Sequence, residues 1–124
     1  MLNLAPIGAG PFATHYPRLL QHLDGVRLGA VVTRSGTISP EISLPPHLLI
    51  ASDIHQVLAD PQIDGVVIAT PSATHATIAR AALTSGKHVL VEKPLTLDLS
   101  EAEALASLAH TTGRVAMVSF QYLY

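Results

Sequence analysis

At 124 residues, 48% of them hydrophobic and 13% charged, the chain is long enough for a single hydrophobic core and too short for two domains; one domain over residues 1–124 is expected. A formal charge of −2 and the lack of any run of basic residues remove the electrostatic footprint of a nucleic-acid or anionic-membrane binder, so small molecules are the expected partners. With no cysteine, disulfides, thiolate chemistry and cysteine-type zinc sites are excluded; with no signal-like start and no apolar run near the ~20 residues that span a bilayer, a cytoplasmic chain is expected.

Short apolar runs alternate with amphipathic segments, the pattern of βαβ units and a parallel sheet. The first strand is expected over Leu2 to Ile7. Pro6 falls inside it, and a central strand cannot easily lose a backbone donor, so a local distortion is expected just before the glycines that follow. Those glycines belong to IGAGPFA, Ile7 to Ala13, a G-x-G-x-x-A between a strand and a helix. Gly8 permits the tight turn, Gly10 lets the main chain approach a pyrophosphate, and Ala13 keeps helix and strand close. Pro11 and Phe12 complete the turn, and the phosphates would rest at the helix N-terminus. An ordinary glycine-containing turn is the competing reading, which placement within a βαβ pattern disfavours. The first helix is expected from about Ala13 to Leu23, kinked or starting late because Pro17 removes a helical hydrogen bond.

The second strand, Val26 to Val32, runs into VVTRSG, where a carboxylate for the adenosine ribose is expected. Thr33, Arg34 and Ser35 stand there instead, a guanidinium and two hydroxyls suited to a ribose 2′-phosphate. NADP(H) is therefore the favoured cofactor and NAD(H) the other candidate; a solvated loop cation is the competing reading of Arg34. The next stretch, SGTISPEISLPP from Ser35 to Pro46, carries three prolines, so a loop with at most one helical turn is expected in place of a crossover helix. A strand over His47 to Ile50 and a helix over Ser52 to Ala59 follow.

The fourth long strand, Gly65 to Thr70, passes through Ala69 and Thr70 into Pro71 and Ser72, where a helix begins that reaches Ser85 and carries His75. The fifth, His88 to Val91, delivers Glu92, Lys93 and Pro94 to the same carboxyl edge, which is where ligands bind in open parallel sheets. Alternation sends Glu92 and Lys93 to opposite faces, so only one can face a nicotinamide. Pro94 ends the ladder and confines Lys93 to extended geometry. The last helix, Ser100 to Thr111, has a capping box in Ser100 and Glu103, an apolar stripe of Leu105, Leu108 and Ala109, and Gly113 to stop it; a final strand spans Arg114 to Phe120. None of the seven histidines forms a close helical pair with a carboxylate third ligand, so no metal site is expected. His22, His47, His55, His88 and His110 are read as surface or packing residues and His15 as structural.

Taken together, GAGPFATHYPRLL, DPQIDGVVIATPSATHATIARAALTSGKHVLVEKPLTLDLSEAEAL and GRVAMVSFQYLY resemble the amino-terminal domain of the glucose-fructose oxidoreductase, inositol dehydrogenase and rhizopine catabolism (Gfo/Idh/MocA) family. The resemblance covers nearly the whole chain; it is weakest over Ser35 to Pro46 and most specific at the E-K-P of residues 92–94 and the T-P-x-x-x-H of residues 70–75. It implies an α/β Rossmann domain, a doubly wound, mostly parallel six-stranded sheet with helices on both faces. Such a domain holds NAD(P)(H) for oxidation or reduction of a sugar- or polyol-like alcohol or carbonyl. By the same resemblance Lys93 matches the catalytic lysine and is assigned the nicotinamide side, His75 lines the nicotinamide pocket, and Gln121 touches the nicotinamide edge. Ser72 stands where the family usually has asparagine. The family's second, α+β domain supplies most substrate contacts and the oligomer interface, and neither matches any part of this chain. A fragment of a longer two-domain oxidoreductase, inactive on sugars alone, is therefore expected. The alternatives are a non-catalytic dinucleotide-sensing regulatory protein, a class the family also contains, and a degraded remnant of the fold.

Overall fold

The structure, a computed structural model, describes residues 1–8 and 15–119. Its strands are β1 (Leu2–Ile7), β2 (Val26–Leu28), β3 (Ala30–Val32), β4 (Leu49–Ala51), β5 (Gly65–Ile68), β6 (His88–Glu92) and β7 (Ala116–Ser119). The helices are α1 (His15–Leu20), α2 (Ile54–Leu58), α3 (His75–Thr84), entered through a 3₁₀ turn at Ser72–Thr74, and α4 (Leu99–Thr112). All strand pairs are parallel, in the order β4-β3-β1-β5-β6-β7, with β2 also on β1. This is the doubly wound order, and it reverses between β1 and β5.

The expected six strands become seven because the second is broken at Gly29. Leu4 pairs with Leu28 and Ile7 with Val32, so Ala5 and Pro6 face three residues, Gly29, Ala30 and Val31: the second strand carries a bulge. Gly29 N–H donates to Leu4 O and Gly8 N–H to Val32 O, which shows that Leu4, Pro6 and Gly8 direct their backbone groups toward that strand. The donor that Pro6 lacks therefore points at the bulge, where no regular partner waits. β1 itself is regular through Ile7, and the distortion expected in it lies in its neighbour. Gly29 is required there by space, since a Cβ would run into Asn3 Oδ1 and the Ile63 side chain.

Strand alternation sorts the core into two layers. Ala5, Ile7, Val66, Ile68, Val89 and Val91 face α2, α3 and α4, against Val57, Ala79, Leu83 and Leu105. Leu4, Leu28, Val31, Val67 and Leu90 face the other side, covered by Leu20 and Tyr16 of α1 and by Ile38, Leu44 and Leu48. Ile38 and Leu44 belong to the proline-rich segment, which forms no helix and lies over the sheet as a loop, and Leu48 follows it. Gln21 fastens it, donating from Nε2 to Ser43 O and Pro17 O, each at 2.9 Å. In the described helix Pro17 stands in the first turn, where a backbone donor has no intrahelical partner.

The start of α4 departs from expectation. Asp98, not Ser100, is the N-cap, with its carboxylate accepting from Ser100 N and Ser100 Oγ, each at 2.9 Å. The helix thus begins one residue earlier, at Leu99, and Ser100 is bound to the cap rather than being it. Gly113 ends the helix at φ 67, as its place predicts, and Leu105 and Ala109 are buried. Among the described residues no helix is long and apolar enough to cross a membrane.

Candidate functional site

A cleft of about 750 Å³ opens at the carboxyl edge of the sheet, where the strand order reverses. The ends of β1, β3, β5 and β6 supply its floor through Ile7 and Gly8, Val32 to Arg34, Ala69 to Ser72, and Glu92 and Lys93. Ser52 and Ile54 before and in α2, and Thr74, His75 and Ile78 at the start of α3, wall it in. Apolar walls with an exposed guanidinium and an exposed ammonium on the rim make a site for an elongated, partly aromatic anion.

Gly8 adopts φ 135, a conformation that favours glycine, and its N–H binds Val32 O at 2.9 Å, so the turn leaves β1 tight against β3. Gly10, Pro11, Phe12, Ala13 and Gln121 lie outside the described residues. Of the three residues read for a 2′-phosphate, Thr33 and Arg34 line the cleft, and Arg34 is the exposed one of the two. The Thr33 hydroxyl donates to Thr37 O at 2.8 Å and the residue is buried. Ser35 Oγ meets Thr37 Oγ1 at 2.7 Å, and Ser35 does not line the cleft. Both hydroxyls are thus engaged with Thr37 in the turn that presents Arg34. Ser52, exposed and on the same edge, borders the cleft and was not anticipated. Its place immediately after β4 was the available signal.

At the other end, Ala69 N–H binds Ile7 O at 2.9 Å and carries the chain into Thr70 and Pro71. Thr74 Oγ1 closes the 3₁₀ turn on Pro71 O and meets Thr70 Oγ1, both at 2.6 Å. Pro71 caps this turn without any side-chain hydrogen bond, and Ser72 follows on the cleft wall. His75 borders the cleft but is only 1% exposed. Its Nδ1 lies 2.7 Å from Pro94 O and its Nε2 2.9 Å from Thr70 O, so both ring nitrogens face protein carbonyls and neither is turned to a ligand. His75 ties the β5 exit to the E-K-P segment.

The alternation expected for that segment holds in space. Val89 and Val91 lie in the α3 layer and Leu90 in the α1 layer, which places Glu92 on the α1 side and Lys93 on the α3 side. Lys93 is exposed on the cleft rim, and its peptide bond to Pro94 is cis. Glu92 Oε1 accepts a hydrogen bond from the Tyr16 phenol of α1. Burial first, then this bond and the carboxylate charge, push the Tyr16 hydroxyl up to about 12, while a hydrogen bond with Ser119 of β7 acts the other way. Tyr16 was not anticipated, because its partner lies 76 positions away and only the alternation of Glu92 toward α1 hints at it. Among the described residues no three His, Asp or Glu side chains gather as a metal site.

Known proteins share this arrangement. A family profile described as "Oxidoreductase family, NAD-binding Rossmann fold" matches residues 2–120. Inositol 2-dehydrogenase of Mycolicibacterium smegmatis is 39% identical over 103 residues, covering 82% of this chain and 30% of that protein. The crystal structure of GenD2 from gentamicin A biosynthesis, in complex with NAD, superposes with a TM-score of 0.91 at 32% identity, over 99% of this chain and 35% of the other. KijD10, a 3-ketoreductase from Actinomadura kijaniata crystallised with TDP-benzene and NADP, gives 0.89 at 27% identity, over 98% and 39%. The chain spans about a third of the length of these relatives. With the doubly wound sheet, the cleft at its switch point and the E-K-P edge all in place, the chain belongs to the Gfo/Idh/MocA oxidoreductase family, as an NAD-binding Rossmann domain.

Proposed function

We propose that this domain binds NADP(H) in preference to NAD(H) and presents it for hydride exchange with a sugar- or polyol-like alcohol or carbonyl held by a second domain. The observation that carries the cofactor preference is Arg34, exposed at the end of β3 on the cleft rim where a ribose-binding carboxylate would otherwise stand. The residues fit a dinucleotide: a glycine at φ 135 opens the turn after β1, aliphatic side chains wall the cleft, and cations stand on its rim. Gly8, with Gly10, Pro11, Phe12 and Ala13, would hold the pyrophosphate; Thr33 and Ser35 would set Arg34 for the 2′-phosphate. Ala69, Thr70, Pro71 and Ser72, with Glu92, Lys93, Pro94 and Gln121, would border the nicotinamide, and His75 would fix that border from behind.

When bound, the cofactor supplies the hydride donor or acceptor. Lys93 would give a proton to the forming alkoxide in reduction, or take one from the alcohol in oxidation. The family contains inositol 2-dehydrogenases and a 3-ketoreductase, which supports a polyhydroxylated substrate. The net charge of −2 supports a small-molecule partner over a nucleic acid or an anionic membrane.

Calorimetric titration with NADPH and NADH tests the preference. A charge-assisted contact contributes ~1.5 to 3 kcal/mol, so Arg34→Ala weakens NADPH roughly ten- to a hundredfold and leaves NADH nearly unchanged. Equal losses for both cofactors would overturn the assignment of Arg34 to the 2′-phosphate.

A further inference from the structure

Lys93 is flanked by two grips from opposite faces of the sheet. On the α3 side, buried His75 faces the carbonyl of the next residue, Pro94, at 2.7 Å. On the α1 side, the half-buried Tyr16 phenol donates to the carboxylate of the preceding residue, Glu92, which is paired with Ser119 in the β6–β7 register. We infer that Tyr16 is a positioning residue for the E-K-P edge: by holding Glu92 from α1, it fixes the strand end from which Lys93 reaches the nicotinamide side of the cleft.

The physical reasoning rests on where the chain loses support. β6 ends at Glu92, and Pro94 offers no backbone donor, so beyond Glu92 the ladder no longer holds the chain. Side-chain bonding adds to the orientation of this segment, and the described structure provides it at Glu92 from α1 and at Pro94 from α3. A carboxylate that accepts from a phenol is a charge-assisted bond, stronger and more directional than a neutral one. Glu92 also borders the cleft, so rotation of its side chain would bring a negative charge toward the anionic cofactor. Tyr16 holds that charge on the α1 side. It belongs to the helix that follows the glycine-containing turn, and thereby joins the proposed pyrophosphate position to the nicotinamide end through one hydrogen bond.

The inference rests on the dinucleotide reading, and the test separates the two. NADPH and adenosine 2′,5′-bisphosphate are titrated into the wild-type chain, Tyr16→Phe, Glu92→Gln and the double variant, with thermal unfolding followed for each. The bisphosphate probes the Arg34 end and the glycine-containing turn, and leaves the nicotinamide end empty. Loss of a charge-assisted bond at one end of a ligand site predicts that Tyr16→Phe weakens NADPH by about five- to tenfold while the bisphosphate stays within about twofold. Residues acting through one contact are non-additive, so the double variant should bind NADPH no more weakly than the weaker single variant. Equal losses for both probes, unchanged NADPH affinity in Tyr16→Phe, or losses that multiply in the double variant would overturn the role of Tyr16. If Tyr16→Phe fails to fold, Glu92→Gln decides by the same split between probes. A folded wild-type chain that binds neither probe would overturn the dinucleotide reading itself, and this inference with it.

Discussion

Tyr16 and His75 bring polar groups to the E-K-P edge from inside the protein, Tyr16 to the Glu92 carboxylate and His75 to the Pro94 carbonyl. The Tyr16–Glu92 bond has a consequence for stability at high pH. The hydroxyl is raised from 10.0 to about 12 in the folded chain, chiefly by burial, then by Glu92. Between those values the unfolded chain has released the proton while the folded chain retains it. The stability that depends on the protonated, buried phenol is therefore complete below about pH 10 and is lost as pH rises toward 12. Urea unfolding from pH 9 to 12 should show wild type losing more stability over this window than Tyr16→Phe; parallel curves would mean that the phenol is not held by Glu92. At the adenosine end, Thr33, Arg34 and Ser35 play separate parts, the hydroxyls closing a turn onto Thr37 and the guanidinium remaining on the cleft rim. Residue types in VVTRSG point to the chemistry, but which side chain meets the ligand depends on how the turn from Thr33 to Thr37 closes.

At the level of elements, most strands and helices were legible because hydrophobic period and glycine punctuation agree with their final environment. β1 matches its expected limits at both ends, and α4 stops at Gly113 as its place demands. The exceptions have local causes. The second strand is split by a bulge that answers Pro6 in the adjacent strand, a pairing that cannot be seen in either segment alone. The third starts at Leu49 rather than His47, since His47 takes φ 67, which ends the extended run before it. Two potential caps, Asp98 and Ser100, stand at the start of α4, and the carboxylate of Asp98 wins by accepting from both the backbone and the hydroxyl of Ser100. Removing an N-cap costs about 0.5–2 kcal/mol, so Asp98→Ala should lower stability by that amount while Glu103→Ala, at an exposed position, stays within about 0.5 kcal/mol. Denaturant midpoints for the two variants check this; a larger loss for Glu103→Ala would restore the capping box at Ser100.

Across the whole molecule, the parallel order that reverses between β1 and β5 gathers the functional groups. Gly8, Arg34, Thr70 and Lys93 are spread over most of the chain, yet each follows a strand, so each arrives at the same edge. That convergence was legible in the sequence because the motifs sit at strand ends; the Tyr16–Glu92 bond was not, because it needs the position of α1 over β6. The chain spans 30% of its mycobacterial inositol dehydrogenase relative, and the proposed function leaves substrate contacts to a second domain. What these residues must do by themselves is hold the cofactor. The most direct test is titration of NADPH into the purified 124-residue chain and its Gly8→Val variant, with folding verified by circular dichroism. Gly8 stands at φ 135, so a β-branched side chain there distorts the turn while the rest of the sheet is retained. The predicted result is saturable one-to-one binding to the wild-type chain that is lost in Gly8→Val. A folded wild-type chain with no saturable binding, or equal affinity in the two proteins, would contradict it.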